Sequence, residues 1–592
     1  MRTSTVKKVR IISPRSNEEN IIKKIHEDGS LHIEKISDTV LEKDKTAIRG
    51  SQKGVEKVSQ LLLELSYIKD VSTNIYTPIN ISALHPKKKV IRRAKSFLDT
   101  HKEHIKRIDS SIQKNQEKQE RLQNQKKRLK NIPKPFQENQ DLILFTSSYK
   151  INKENLPETG FTYVEDNKHY YSIRKDSKNK KQIISTFKDN LATRVSLKFI
   201  DKTPSNTQKK IEEEIQILKE KEQQYREELK EYVKPLQTEF SNIYAELKNY
   251  YDRLTISNNF AATETLLIIE GYAEPKDALR LAKKLNDANV YAENVDNAPT
   301  KLKNEGFTKN FQPVTELFDT PRYKKYDPTT FVSFFYPLFF GMMLGDIGYG
   351  LLLLSILPFL NSYFKKDIDD YLNILGASAV STIVFGVLSG SFFGNLVPLE
   401  PLLFEPFTDS FSILIAALII GLIHMNIGVG ISFYQHSKDN SDAYTIAKDV
   451  LPLPLIQVAA LTLYMGETAL GLALIGTAII LLVAKKGLLG ILDVTDYMGT
   501  WFSYSRILAL SLATAGIALA VNLISQTVGT LGTLGAIIAP LILIGGHIFN
   551  FTINTLGCAI NAARLHYVEF FSFFFEGGGK PFKAFTLTTP QN

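Results

Sequence analysis

The sequence predicts an α+β cytoplasmic domain with an antiparallel coiled-coil arm, followed by an all-α polytopic membrane domain of about eight helices, the last two long and tilted. Three observations predict it. Charge is unevenly divided: of 72 Lys and Arg and 62 Asp and Glu in 592 residues, Phe331 onward holds 10 and 15, leaving 62 and 47 in the first 330. Two long charged stretches with apolar seams bracket a strand-rich insert. The last 262 residues carry apolar runs, most of them near or above the roughly 20 residues that cross a bilayer. Whole-chain averages, 44% hydrophobic and a mean hydropathy of −0.10, conceal this division.

Residues 1–330 read as the cytoplasmic domain. The opening, MRTSTVKKVRII, lacks the apolar core of a signal peptide. Residues 1–90 and 257–330 form a proximal α/β lobe, with strand-like runs at Val9–Ile12 and Leu31–Ile33 and a return through Thr265–Tyr272 and a helix at 276–288. Residues 91–131 and 205–256 form the arm. Ile105, Ile108, Ile112, Leu122 and Leu129 lie on a heptad seam among Lys, Glu, Gln and Arg. From Ile211 to Leu247 apolar residues recur at 3/4 spacing, with a kink expected at Pro235. Residues 132–204 form a distal α/β lobe with strands near Leu142–Phe145 and Tyr170–Ile173. The plainer alternative for the arm is a solvated helical linker.

Residues 331–592 read as the membrane domain. Apolar runs fall at about 331–360, 371–394, 411–435, 450–465, 468–485, 497–526 and 533–572. Seven crossings would place the ends on opposite sides. The Lys residues argue for eight: they sit only at Lys365, Lys366, Lys438, Lys448, Lys485, Lys486, Lys580 and Lys583, and positive loops stay inside. The first run then crosses twice, turning near Gly341–Gly348 around Asp346, a turn that must be buried in protein.

The membrane half contains two arginines, Arg506 and Arg564, both inside apolar segments. A central guanidinium costs at least ~2.5–3.5 kcal/mol, so such a charge faces a cavity or a partner unless it snorkels to the interface. On the last helix His547, Asn550, Asn554 and Asn561 span about 60° of one face at about 100° per residue, with Arg564 at its edge. That stripe suits an ion half-pathway; interhelical hydrogen bonding is the simpler explanation. His566, Tyr567 and Glu569, near the cytoplasmic end, suit the other access route or a simple place at the interface, and Ser503 and Ser505 beside Arg506 are further candidates for lining a half-channel. Neither arginine has a convincing counter-ion in the sequence, which favours one supplied by another chain.

Other chemistry is unsupported. No zinc-finger, RNA-binding or helix-turn-helix pattern accompanies the basic half, so nucleic acid is not expected. There is no nucleotide phosphate loop; Gly577-Gly578-Gly579-Lys580-Pro581 has the wrong context. One cysteine, Cys558, rules out an intrachain disulfide, and no metal or cofactor constellation is present.

The segments Ser503–Thr514, Gly546–Asn550, Arg564–Phe571, Gly577–Phe582 and Gly341–Asp346, with Lys7–Ile12 and His32–Glu34, resemble subunit I (subunit a) of archaeal and bacterial A/V-type rotary ATPases. The resemblance implies a stator. Arg506 and Arg564 match the family's two arginines, which face an ionisable carboxylate on each passing subunit of the membrane ring (c/K-type). It also implies peripheral-stalk (E/G-type) partners for the arm, a central-stalk socket subunit (d/C-type), a lipid bilayer, and transport of H⁺ or Na⁺ coupled to ATP synthesis or hydrolysis. Eukaryotic relatives carry His and Glu where this chain has Thr514 and Asn554. The rival is a secondary transporter or channel with a cytoplasmic coiled-coil regulator.

Overall fold

The computed structural model describes residues 3–36, 48–49, 54–72, 75, 87–130, 142–147, 161–165, 168–174, 193–194, 204–364, 368–439 and 441–587. Most of the distal lobe, the side chain of Leu129, and Lys365 and Lys366 lie outside the described residues. The chain forms two compact units. One comprises Met1–Asn17, Ser30–Glu34 and Leu266–Phe585, the other Glu18–Gly29, Lys35–Thr265 and Thr586–Asn592. These units are divided by contacts, whereas the division at 330 is one of charge.

In chain order the elements begin with β1 (Lys7–Pro14), α1 (Glu18–Asp28) and β2 (His32–Ile33), then α2 (Val55–Val71) and α3 (Lys87–Lys130). The distal strands follow: β3 (Leu142–Ser147), β4 (Phe161–Glu165), β5 (Lys168–Arg174) and β6 (Thr193–Arg194). Helices α4 (Pro204–Val233) and α5 (Gln237–Ile256) return, followed by β7 (Leu266–Ala273), α6 (Pro275–Lys284) and β8 (Asn289–Asn294).

In the first unit β1 alternates buried and half-open residues, with Val9 and Ile11 fully buried. It pairs antiparallel with β7 (Val9 opposite Gly271) and β8 (Val9 opposite Ala292), and β2 pairs with β7. In the second unit α3 and α4 lie side by side. Lys126 meets Glu212 at 2.8 Å, Lys118 meets Glu214 at 2.6 Å, and Gln116 donates to Glu222 at 2.9 Å. His101 meets Tyr232 at 2.8 Å, and Arg93 meets Glu246 on α5 at 3.3 Å. Rising numbers meet falling ones, so the pair is antiparallel. Ile105, Ile108 and Ile112 are buried with Leu229, Val233 and Phe240, and α2 joins the same core through Leu65 and Ile68. At Pro235 the helix tightens to a 3₁₀ turn, Lys234–Leu236, because proline has no N–H to continue the ladder. The distal strands form one antiparallel sheet in the order β4-β5-β3-β6.

The apolar helices of the first unit are α7 (Thr329–Leu344), α8 (Ile347–Phe364), α9 (Asp369–Ser389), α10 (Ser410–Lys438), α11 (Ala443–Val450) and α12 (Pro452–Tyr464). They continue with α13 (Thr468–Lys486), α14 (Leu492–Phe502), α15 (Arg506–Gly529) and α16 (Gly532–Arg564). By length and composition the described residues contain five membrane-length helical spans. A sixth is added if α11 and α12, bent by 56°, act as one. One span, Thr468–Gly529, is 62 residues long and is interrupted by 3₁₀ turns at Gly487–Ile491 and Ser503–Ser505.

The first apolar run is broken between α7 and α8. Gly345 closes α7 at φ 35°, and Asp346, 2% exposed, organises the turn. Its carboxylate accepts from Tyr349 N–H (3.0 Å), Phe393 N–H (3.0 Å), Gly394 N–H (2.8 Å) and the Ser391 hydroxyl (2.6 Å). Helix α9 packs on this turn through Gly386, where a Cβ would fall 2.4 Å from the Ile347 nitrogen.

Beyond α16 the chain forms a strap onto the N-terminal sheet. Gly579 N–H donates to Thr320 O (3.0 Å), Thr300 N–H to Lys580 O (2.7 Å) and Phe582 N–H to Thr300 O (2.9 Å). Lys583 N–H donates to His32 Nδ1 (2.9 Å) and Phe585 N–H to Leu31 O (2.8 Å).

Candidate functional site

Arg506 opens α15 directly after the Ser503–Ser505 turn, and three contacts fix that turn. Trp501 Nε1 donates to Leu418 O of α10 at 2.9 Å. The Tyr504 hydroxyl meets His424 Nδ1 at 2.8 Å. Gly421 leaves room for the fully buried Tyr504 ring, since a Cβ there would lie 2.4 Å from it.

Arg564 ends α16, and the next six residues, Leu565–Phe570, form a π-helix. Such wide turns carry an extra residue and are frequent at functional sites. Here the turn leads to Glu569, 1% exposed, whose Oε1 lies 3.1 Å from Arg506 Nη1. Arg506 Nη2 also donates to Ser503 Oγ at 3.0 Å. Arg506 therefore has an in-chain counter-ion, contrary to the expectation from sequence. The two residues are 63 apart and meet only because α15 and the end of α16 pack together.

Arg564 differs: it is exposed, with no hydrogen bond or ion pair among the described residues. Glu569 Oε2 likewise has no hydrogen-bond partner there, nor do the Nε2 atoms of His566 and His424. His566 is fully buried, bonded through Nδ1 to Ala562 O at 2.7 Å, with its ring 5.0 Å from that of His424. Tyr567 donates to Val314 O at 2.5 Å.

The stripe on α16 faces inward. His547, Asn550 and Asn554 are buried. The Tyr349 hydroxyl meets His547 Nδ1 at 2.8 Å, and Asn550 Nδ2 donates to Tyr349 Oη at 2.7 Å and Thr514 O at 3.0 Å. Asn554 donates to Asn550 Oδ1, and His547 Nε2 meets Asn522 Oδ1 at 2.9 Å. Asn561 stands apart, half-buried and bonded to Gly557 O of its own helix at 2.9 Å. The structure thus brings together Arg506, Ser503 and Glu569, and separately His547, Asn550 and Asn554. Ser505, Asn561 and Arg564 join neither set. Sequence reasoning missed Tyr349, Asn522, Tyr504 and His424, all of them polar groups inside apolar runs.

The model of the V-type ATPase 116kDa subunit family matches residues 177–374. An A-type ATP synthase subunit I from Methanocaldococcus jannaschii is 27% identical over 99% of both chains. The chain is similar to members of this family along its length. A-type ATP synthase subunit I from Pyrococcus horikoshii is 33% identical over 61% of this chain, and the match spans 62% of that relative's length. Among solved structures, the cytoplasmic N-terminal domain of subunit I, homolog of subunit a, of V-ATPase overlaps 48% of this chain and 99% of its own. The TM-score is 0.23 and the identity 11%.

Proposed function

We propose that this chain is the stator subunit of a rotary A/V-type ATPase or ATP synthase, providing two ion half-channels against a rotating membrane ring. The observation that carries this reading is the pair of arginines: Arg506 anchored on Glu569 yet 26% exposed, and Arg564 exposed without a partner among the described residues. A guanidinium stays charged at any working pH, where a buried lysine would lose its proton. Facing a passing carboxylate, it favours the ionised form, so the bound ion leaves into one half-channel and a direct leak to the other is blocked.

In this reading the membrane helices cross eight times, with the break at Asp346 making the first apolar run cross twice and both ends inside the cytoplasm. The last two membrane helices, α15 and α16, lie tilted beside the ring. His547, Asn550, Asn554 and Asn561 line one half-channel; His566, Glu569, Ser503 and Ser505 line the other. The antiparallel arm anchors peripheral-stalk subunits, and the proximal lobe meets the central-stalk socket subunit.

The test is transport by the reconstituted complex. Arg564→Ala and Arg506→Ala are expected to abolish ATP-driven ion transport while ATP hydrolysis by the detached catalytic head persists. Normal pumping by both variants would overturn the mechanism. The paired state of Arg506 leaves one rival worth testing, a self-contained transporter, which would move ions with this chain alone in liposomes.

A further inference from the structure

Between β8 and α7 the chain makes two short helices, Gly306–Lys309 and Gln312–Phe318, and both pack on α7. Thr315 Oγ1 lies 2.9 Å from Thr329 Oγ1 at the start of α7, and Asn373 Nδ2 on α9 donates to Asn310 Oδ1 at 3.3 Å. The fully buried Phe311 ring lies 6.2 Å from that of Tyr336. Tyr336 stands seven residues into α7, about 10 Å along its axis at 1.5 Å per residue. The apolar run has begun by Phe331, so the segment lies beside helical turns that are already apolar. On its other flank Val314 O accepts from the Tyr567 hydroxyl, and the Phe318 ring lies 5.1 Å from that of Tyr567.

One side of this segment is taken up by those contacts. The other presents Leu317, 77% exposed, with Phe307 and Phe318 also exposed. Large apolar side chains gathered on one short segment mark contact with a protein or a membrane. Their surroundings decide between the two. Tyr363 and Phe364 at the end of α8, and Tyr371 near the start of α9, are exposed as well. Aromatic rings at the ends of spanning helices form the belt that sits at headgroup level. Asn310 is bonded to Asn373, two residues from Tyr371, so the segment and the belt share one level.

We infer that residues 306–318 are a membrane-surface anchor, lying in the interface at the end of the bundle where α7 begins, with Leu317, Phe307 and Phe318 among the upper acyl chains. The occupant of this face is phospholipid. Two exposed cations, Lys303 and Lys309, are matched by the exposed Glu305 and Glu316. Burial of apolar surface rather than charge therefore holds the segment down, and zwitterionic lipid suffices. Through Tyr567 the turn that follows Arg564 is referred to the plane of the membrane. The inference goes beyond the stator reading and does not depend on it.

The test uses the complete complex in phosphatidylcholine liposomes that contain a phosphatidylcholine with a photoactivatable diazirine high on one acyl chain. After irradiation, the tryptic peptides 304–309 and 310–322 should carry lipid adducts, as peptides from α13 should. In parallel, Leu317→Cys is compared with Ser437→Cys, an exposed position at the end of α10, using a charged maleimide admitted to both faces by freeze–thaw. Cys558 is buried and does not compete. Leu317→Cys is expected to react about tenfold or more slowly than Ser437→Cys, because lipid covers it. Equal rates would overturn the inference. Protection of Leu317→Cys without lipid adducts would overturn it too, since a protein chain would then cover the face. Protection should persist in high salt; its loss there would reveal a partner held by charge and exclude the apolar anchor.

Discussion

Arg506 and Glu569 form an asymmetric pair: the guanidinium is 26% exposed at its side chain, the carboxylate 1%, and only one carboxylate oxygen is bonded. The arginine can be approached from outside while its partner cannot. A carboxylate arriving from another chain would therefore compete with Glu569 for one cation rather than meet an unheld charge.

The asymmetry has a consequence for stability. Arg506→Ala strands a buried charge and is expected to cost about 3–5 kcal/mol, whereas Glu569→Gln leaves a cation with access to polar surroundings and should cost less. The double variant should recover stability relative to Arg506→Ala, but not ion transport. Thermal unfolding of the detergent-solubilised complex, compared with transport in liposomes, separates the two roles.

Overpacking gives a second check. Gly421→Val would drive a side chain into the buried Tyr504 ring, 2.4 Å from the position of a Cβ. A loss of about 1–3 kcal/mol is expected. Because Tyr504 sits two residues before Arg506, transport should fall with it. Gly430, with nothing within 4 Å of its Cβ position, is the control, and Gly430→Ala should leave both unchanged.

The register of the arm can be read chemically. A zero-length carbodiimide joins an amine to a carboxylate in contact. Lys118 with Glu214 and Lys126 with Glu212 should appear as crosslinked peptides by mass spectrometry. A parallel arrangement would yield neither. The pairs are open to solvent, with a third or more of each side chain exposed, so reversing one charge should shift stability by only about 0.2–1 kcal/mol.

Acid should loosen α1. Burial lowers the pKa of His26 from 6.5 to about 4, against the hydrogen bond that its Nε2 donates to Thr586 O, which supports the charged form. The unfolded chain thus binds a proton that the folded one refuses, and stability falls as pH drops from about 6.5 to about 4, by on the order of 3 kcal/mol at most. Hydrogen exchange of Glu18–Asp28 should accelerate over that window, and His26→Gln should flatten the dependence.

Periodicity and charge made much of this architecture legible. Ile105, Ile108 and Ile112 mark a seam because a heptad repeats along one chain, and glycines beside a lone Asp mark the break at Asp346 because neither suits lipid. The stripe from His547 to Asn554 was legible as a stripe, but not which way it faces; that depends on Tyr349, Thr514 and Asn522, contributed by other elements. The counter-ion of Arg506 was hidden for the same reason. Glu569 lies 63 residues away and reaches it through a π-turn that no residue spacing announces.

The strap at the end of the chain bears on how load is carried. A sideways push on Arg564 passes along the covalent chain through the π-helix to Gly577–Phe585, and from there to Thr300, to Leu31 and to His32 of β2. A force on the last helix is thereby shared with a folded sheet rather than left to that helix alone.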